Sequence, residues 1–204
     1  MGRASDAKQR LMEAISELIW KGSYGATTID QICEKAAVKK GSFYYFFESK
    51  ADLAVAALDA DFKVKRPIFD EMFSSSVPPL ERLRRYAEWA YNRQKELKCQ
   101  CGCVLGCPLF TLGSEVCNQE EKLRAKVQEM MDTHARYVET AVRDAHAAGL
   151  FQTADLPAKI RMLGAYIEGL FTQARIRNDV EVIKEMFPGI SQILGIKETT
   201  AKAA

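Results

Sequence analysis

Residues Thr27–Lys50 read TTIDQICEKAAVKKGSFYYFFESK. Thr28 stands three residues before Gln31. That is the spacing of a capping box, in which two side chains satisfy each other's backbone N–H at a helix start. It predicts a short helix from Ile29 to about Ala36. A turn follows at Ala37-Val38-Lys39, and then a second short helix from Lys40 or Gly41 to Phe47. Two such helices joined by three or four residues form a helix-turn-helix. Ile29, Ile32, Cys33, Ala36 and Val38 supply the apolar contacts that lock the pair. Phe43 and Phe47, four apart, fall on one helix face and complete the core beneath it.

The residues left over carry the functional signal. Lys39, Lys40, Gly41, Ser42, Tyr44, Tyr45 and Phe46 fall on or near the outer face of the second helix. A Tyr-Tyr pair beside Lys-Lys-Gly is poor surface design without a partner. In a helix-turn-helix the second helix enters the DNA major groove by its N-terminal end. Lys39 and Lys40 there reach phosphates or guanine acceptors, and Gly41 lets the backbone approach the bases. Ser42, Tyr44 and Tyr45 add hydroxyls for phosphates, and the rings suit thymine methyls. Thr28 and Lys50, each at a helix start, are candidate phosphate contacts. The competing reading of the same segment is a plain three-helix bundle with exposed lysines.

Helical periodicity continues on both sides. Leu11, Ile15, Leu18 and Ile19 mark a helix from about Asp6 to Lys21, stopped by Gly22 and Gly25. Ser49 caps a helix running toward Phe69, with Asp52 in its first turn. Ser74–Pro79 is a loop. A helix follows from Leu80 to about Lys98, then a cysteine-rich interruption from Cys99 to Pro108. A long helix runs from about Gln119 to Ala148, the next starts near Pro157, and the last spans about Val180 to Phe187. No strand pattern is present, so the fold class is all-α.

At this point the chain resembles the TetR family of regulators. The carriers are TT-I-x-x-I-x-x-x-A-x-V-x-K-G-S-F-Y-Y-x-F-x-S-K-x-x-L, with the strong match from about Leu11 to Leu53. Three positions depart from the family's pattern. Ala37 replaces a usual Gly, a change expected to cost little. Lys39 replaces a common Ser or Thr. Phe46 replaces a frequent His, so it contacts sugar or packs instead. The small, polar, uncapped stretch 196–204 is expected to be a disordered tail. The resemblance implies an N-terminal DNA-binding domain over 1–50 and a helical effector-binding and dimerisation domain over 51–195. It further implies a dimer interface built on Ile160, Leu163, Gly164, Ile167, Leu170, Phe171 and Ala174. The helices between Leu80 and Ala148 would enclose an effector pocket, with Tyr86, Trp89, Cys103, Cys107, Phe110, Met130, His134 and Tyr137 as candidate lining. Core packing is the competing role for the aromatic residues and methionines among them. The implied partners are a double-stranded DNA operator, a second copy of the chain and an unidentified small molecule.

Cys99, Cys101, Cys103 and Cys107 lie within nine residues, and Cys117 follows. Three readings stay open. They are small apolar packing residues, a thiol switch, or a soft-metal site. The spacing lacks the paired C-x-x-C of structural zinc, and His134 and His146 are not an i,i+4 pair. No metal or other cofactor is therefore expected.

Composition narrows the classes. With 48% hydrophobic and 27% charged residues, the chain can bury a core and is not a disordered segment. Net charge is only +2, so affinity for nucleic acid must come from local charge. Lys39, Lys40 and Lys50 flank one segment in which Glu48 is the only acid. No Gly-rich phosphate loop, nucleophile elbow or H-E-x-x-H is present, so no catalytic residues are expected. No apolar run approaches a membrane span and no targeting segment is visible, so a cytoplasmic protein is expected.

Overall fold

A computed structural model describes residues 2–116 and 120–196, and side chains from Asp6 onward. Cys117 and the tail beyond Ile196 lie outside the described residues. The described elements are all helical. They are α1 (Gly2–Lys21), α2 (Ile29–Lys35), α3 (Lys40–Phe46), α4 (Lys50–Met72), α5 (Pro79–Cys101), α6 (Pro108–Val116), α7 (Glu121–Ala147), α8 (Leu156–Arg177), a 3₁₀ segment (Val180–Glu185) and α9 (Met186–Leu194). The all-α expectation holds. None of these helices is long and apolar enough to cross a membrane.

Two differences from the sequence reading have one cause. The run after Cys107 is a helix, α6, whereas the sequence reading assigned no element between the interruption at Cys99–Pro108 and the long helix. The last helix begins at Met186 and runs through Pro188, and Val180–Glu185 is 3₁₀. Pro108 and Pro188 both sit in the first turn of their helices. The missing N–H costs nothing there and the fixed φ favours helix, so these prolines start helices and do not break them.

The chain divides into two compact units, Met1–Pro67 with Pro108–Asp132, and Ile68–Cys107 with Thr133 onward. In unit 1, α1, α2 and α3 pack on one another, and α6 packs on α1. Leu11 and Ile15 of α1, Ile32 of α2, Phe43 of α3 and Leu53 of α4 are fully buried. Each such side chain contributes on the order of 1.5–3 kcal/mol of hydrophobic stabilisation. Ser49 caps α4 as its sequence predicts, accepting from the Asp52 N–H at 3.1 Å.

In unit 2, α5, α8, the 3₁₀ segment and α9 enclose a core that includes Leu83, Leu163, Ile183, Met186 and Ile190. Arg82 is almost fully buried and holds the 74–78 loop. It donates to the Val77 and Ser75 carbonyls at 2.7 and 3.2 Å and to Asp144 at 2.6 Å. The cysteine-rich segment is pinned along its backbone. The buried Gln94 accepts from the Leu105 and Gly106 N–H groups and donates to the Gly106 carbonyl. Asn178 accepts from the Val104 N–H at 2.9 Å, and Arg175 donates to the Leu105 carbonyl at 2.8 Å. Gly106 has φ +67, and a Cβ there would sit 3.1 Å from the Phe171 carbonyl, so the position favours glycine on both counts.

Candidate DNA-binding surface and interior site

The helix-turn-helix forms as its residues predict. Thr28 caps α2, accepting from the Gln31 N–H, and Gln31 accepts from the Thr28 N–H at 2.8 Å. The turn after α2 closes with two bonds, Ala37 N–H to the Glu34 carbonyl and Val38 N–H to the Cys33 carbonyl, both at 3.0 Å. This is the paired closure of a helix end whose next residue takes the left-handed conformation. That residue is Ala37, with φ +51. The expectation that alanine costs little there is corrected. A residue with a Cβ clashes with its own carbonyl in this region, at about 1–2 kcal/mol.

α3 presents two faces. Phe43 and Phe47 are buried. Tyr44 and Tyr45 are 54% and 79% exposed, and Lys39, Lys40 and Gly41 are also exposed. Ser42 is half-buried. A Cβ on Gly41 would meet nothing within 4 Å. Glycine weakens a helix by roughly 0.5–1 kcal/mol against alanine, and nothing in this chain's packing requires it there. Lys40 pairs with Asp30 at 2.8 Å, a solvent-exposed pair that contributes little to stability and yields readily to a phosphate. The hydrogen bond to Asp30 pushes the Lys40 pKa up, so the ammonium stays charged. Phe46 packs, its ring edge-on to Tyr45 at 4.8 Å.

Lys50 is not the free phosphate ligand that its sequence position suggested. Its ammonium donates to the Tyr24 and Thr27 carbonyls at 2.7 and 2.8 Å and lies 4.1 Å from the Tyr24 ring centre. Burial pushes its pKa down. It is a clamp on the turn between α1 and α2. The same turn is gripped from α6 by Glu115, which sequence reasoning missed. The Ser23 hydroxyl and the Tyr24 and Gly25 N–H groups donate to its carboxylate at 2.6–2.9 Å. Burial opposes the charge, but these three donors hold the Glu115 pKa below the ordinary carboxylate value. Lys122 of α7 pairs with Asp52 of α4 within the same unit.

The predicted effector lining separates. Phe110 and Met130 belong to unit 1, and the other six residues belong to unit 2. Phe110 edges an open groove between α6 and α7 that also includes Val127 and Met131, and Met130 is buried. In unit 2 an aromatic cluster brings four of the predicted residues together. Tyr86 and Trp89 of α5 are near-parallel at 6.2 Å. The Phe69 ring of α4 lies 5.0 Å from both Trp89 and His134 and 5.6 Å from Tyr137. Cys107 joins this group through Tyr86, whose pKa rises through burial and then through the neighbouring Cys107 and Glu168. Glu168 of α8 was not foreseen. Burial pushes its pKa up, against a hydrogen bond from the Cys107 thiol.

The cysteines separate as well. Cys99 is exposed near the end of α5, Cys101 and Cys103 are half-buried on either side of Gly102, and Cys107 faces Glu168. Among the described residues no three His, Cys, Asp or Glu side chains converge to hold a metal.

The predicted dimer face needs correction. Leu163, Ile167, Phe171 and Ala174 are buried in the core of unit 2 and have no surface left for a partner. Ile160 and Leu170 are half-buried. The exposed residues of α8 include Met162, Gly164, Ala165, Gly169 and Ile176, with Arg161, Gln173 and Arg177 among them. Met162 and Ile176 are 55% and 72% exposed, and a Cβ on Gly164 or Gly169 would meet nothing within 4 Å.

Comparison with known proteins finds the same family and fold. The family described as "Bacterial regulatory proteins, tetR family" matches residues 11–57, and "Tetracyclin repressor-like, C-terminal domain" matches residues 79–188. The transcriptional regulator AcuR of Cereibacter sphaeroides is 31% identical over 147 residues, covering 72% of this chain and 65% of AcuR, just under two thirds of its length. An uncharacterised HTH-type regulator from the lacX 3' region of Lactococcus lactis is 26% identical over 89% of this chain and 90% of its own. A crystal structure of a regulatory protein TetR from Rhodobacter sphaeroides superposes with TM-score 0.79 at 26% identity, covering 92% of this chain and 98% of that one. The reduced form of Escherichia coli NemR shares the fold, with TM-score 0.80 at 20% identity, 95% of this chain and all of the other.

Proposed function

The chain belongs to the TetR family of bacterial transcriptional regulators, and from that premise we propose that it is a ligand-responsive repressor that binds a pseudo-palindromic operator as a homodimer. The observation that carries the proposal is the outer face of α3. Two exposed tyrosines, Lys39, Lys40 with only a solvent-exposed pair to Asp30, and an unforced glycine stand outward there. Lys39 and Lys40 would hold phosphates or guanine edges, Gly41 would admit the backbone to the groove, and Ser42, Tyr44 and Tyr45 would touch the sugar–phosphate backbone and thymine methyls. Thr28, whose hydroxyl already caps α2, would offer the adjoining helix end to a phosphate.

Dimerisation would use the outward face of α8. Gly164 and Gly169 have open space where a side chain would stand, which suits close approach of a second helix. The two copies of α3 would then lie about 34–36 Å apart, one turn of DNA. An effector held in unit 2 needs only a few kcal/mol of differential affinity to release the operator. The regulator would act in the cytoplasm by occluding promoters. The exposure of Cys99 favours a second trigger, thiol oxidation in the cysteine-rich segment.

Fluorescence anisotropy on the DNA upstream of the protein's own reading frame tests this, with selection from random duplexes as the wider net. Tight binding to an inverted repeat is expected. If selection also recovers no sequence, the proposal fails. Repeating the titration after thiol oxidation decides whether the second trigger exists.

A further inference from the structure

The reading face of α3 carries an acid that phosphate binding alone does not explain. Asp30 stands in the first turn of α2. Its carboxylate meets the Lys40 ammonium at 2.8 Å. Lys40 is the first residue of α3, at the end by which a recognition helix enters the major groove. Both side chains are more than half exposed, so the pair adds little to the stability of the fold. A carboxylate at this place is repelled by phosphates and cancels the charge of the lysine it holds. Were Lys40 only a phosphate ligand, Asp30 would work against it.

We infer that Asp30 and Lys40 together read a G·C base pair, Lys40 donating to the guanine and Asp30 accepting from the cytosine. The inference rests on the reading of α3 as the recognition helix and names the base pair it selects. In the major groove guanine shows two acceptors, N7 and O6, and the paired cytosine shows the N4 amino donor. O6 and N4 bond to each other across the pair, so acceptor and donor stand side by side at the groove edge. A touching ammonium and carboxylate is the complement of that edge.

The other pairs fit worse. An A·T pair puts the adenine N6 donor against the ammonium and the thymine O4 acceptor against the carboxylate. A T·A pair restores an acceptor and a donor at those two places. It replaces N7 with the thymine methyl beside Lys40 and sets the adenine N7 acceptor beside Asp30. A C·G pair reverses the whole pattern. The hydrogen bond from Lys40 to Asp30 also raises the lysine pKa, which keeps the donor charged. The carboxylate travels with the ammonium, and that steers Lys40 off the phosphates and onto the base edge.

Selection from random duplexes with the full chain, followed by anisotropy titration of single-base-pair variants, tests the assignment. The wild type is expected to select a G·C pair at one position in each half-site. Asp30→Asn, equal in size and uncharged, should lower that preference by about tenfold. It should raise affinity for unrelated DNA and steepen the salt dependence by about one charge. Lys40→Ala should flatten the same position, and the double variant should flatten it no further than Lys40→Ala does. Each preference is a ratio of two affinities, so the fraction of folded chain cancels. Unaltered base preferences in Asp30→Asn overturn the inference. So does a loss equal on every sequence, which would make Asp30 a structural charge at the start of α2. In both cases the regulator stands. A wild type that selects no sequence overturns the regulator, and the base-pair reading falls with it.

Discussion

α3 and α8 break opposite rules. α3 turns two tyrosine rings to water, where a surface helix ordinarily shows polar side chains. α8 turns a carboxyl group toward a core, where acids are rarely found unpaired. Within its own unit each cost is relieved only in part, by the Phe43 and Phe46 ring edges on α3 and by the Cys107 thiol at one side of the Glu168 carboxyl. The relief must come from different directions. The open face of α3 suits a large partner that stays outside, read by residues adjacent in sequence. The half-buried acid of α8 is surrounded by residues gathered from α5, the 102–107 segment and α8.

The sharpest way to break the comparison is on α3. Lys40→Ala combined with Tyr44→Ala should cut operator affinity by about a hundredfold, with Lys40→Ala alone lowering the salt dependence by about one phosphate contact. Both side chains are exposed, so thermal unfolding should be unchanged. A loss of affinity accompanied by an equal loss of stability would mean that α3 is structural and would erase the contrast.

Glu115 tests whether the reading head depends on its support. Glu115→Ala leaves the Ser23 hydroxyl and two backbone N–H groups without their acceptor, at about 1–3 kcal/mol. Operator affinity should fall with it, although Glu115 is on α6 and not on the DNA-reading face. The pH behaviour has a definite sign. The folded pKa of Glu115 is depressed, so its contribution is fully present above the ordinary carboxylate pKa. It is lost as pH falls through the depressed value. Wild type and Glu115→Gln should therefore converge in acid, and a difference between their unfolding curves that does not shrink anywhere below the ordinary carboxylate pKa would refute the clamp.

Glu168 should behave with the opposite sign. Its folded pKa is raised, so it destabilises unit 2 increasingly as pH climbs above the ordinary carboxylate value toward the raised one. Glu168→Gln removes that slope. The variant should gain on the wild type by on the order of 1 kcal/mol at mildly alkaline pH and by little near pH 4. Urea unfolding at the two pH values checks it. A gain that does not vary with pH would show that the acid is already paired.

The contrast also explains what could be read from sequence. The helix-turn-helix was legible because cap, core spacing and outward residues all lie between Thr27 and Lys50, and local periodicity encodes them. Lys50 was misread because the carbonyls that hold it belong to Tyr24 and Thr27, and a lysine at a helix start looks the same whether it clamps or is free. Glu115 lies far along the chain from its donors, so no pattern announces it. On α8 the apolar repeat marked Leu163, Ile167 and Phe171 as one face. Periodicity tells which face is apolar but not whether the chain's own core or a partner covers it. Glu168 looks like any helical glutamate until α5 and Cys107 close over it.

The smallest effect concerns the one place where local sequence departs from local geometry. Ala37 takes φ +51 at the end of α2, and the two turn-closing bonds require that conformation. Ala37→Gly relieves about 1–2 kcal/mol of left-handed strain and returns about half of it as added freedom in the unfolded chain. Net stabilisation should be roughly 0.5–1 kcal/mol, read as a rise in unfolding midpoint. The Ala37 side chain is exposed, so no packing is lost. Operator affinity should stay constant, since α3 keeps its position. Greater stability with weaker DNA binding would show that the strained turn sets the approach of α3 to the groove and that alanine is retained for that purpose.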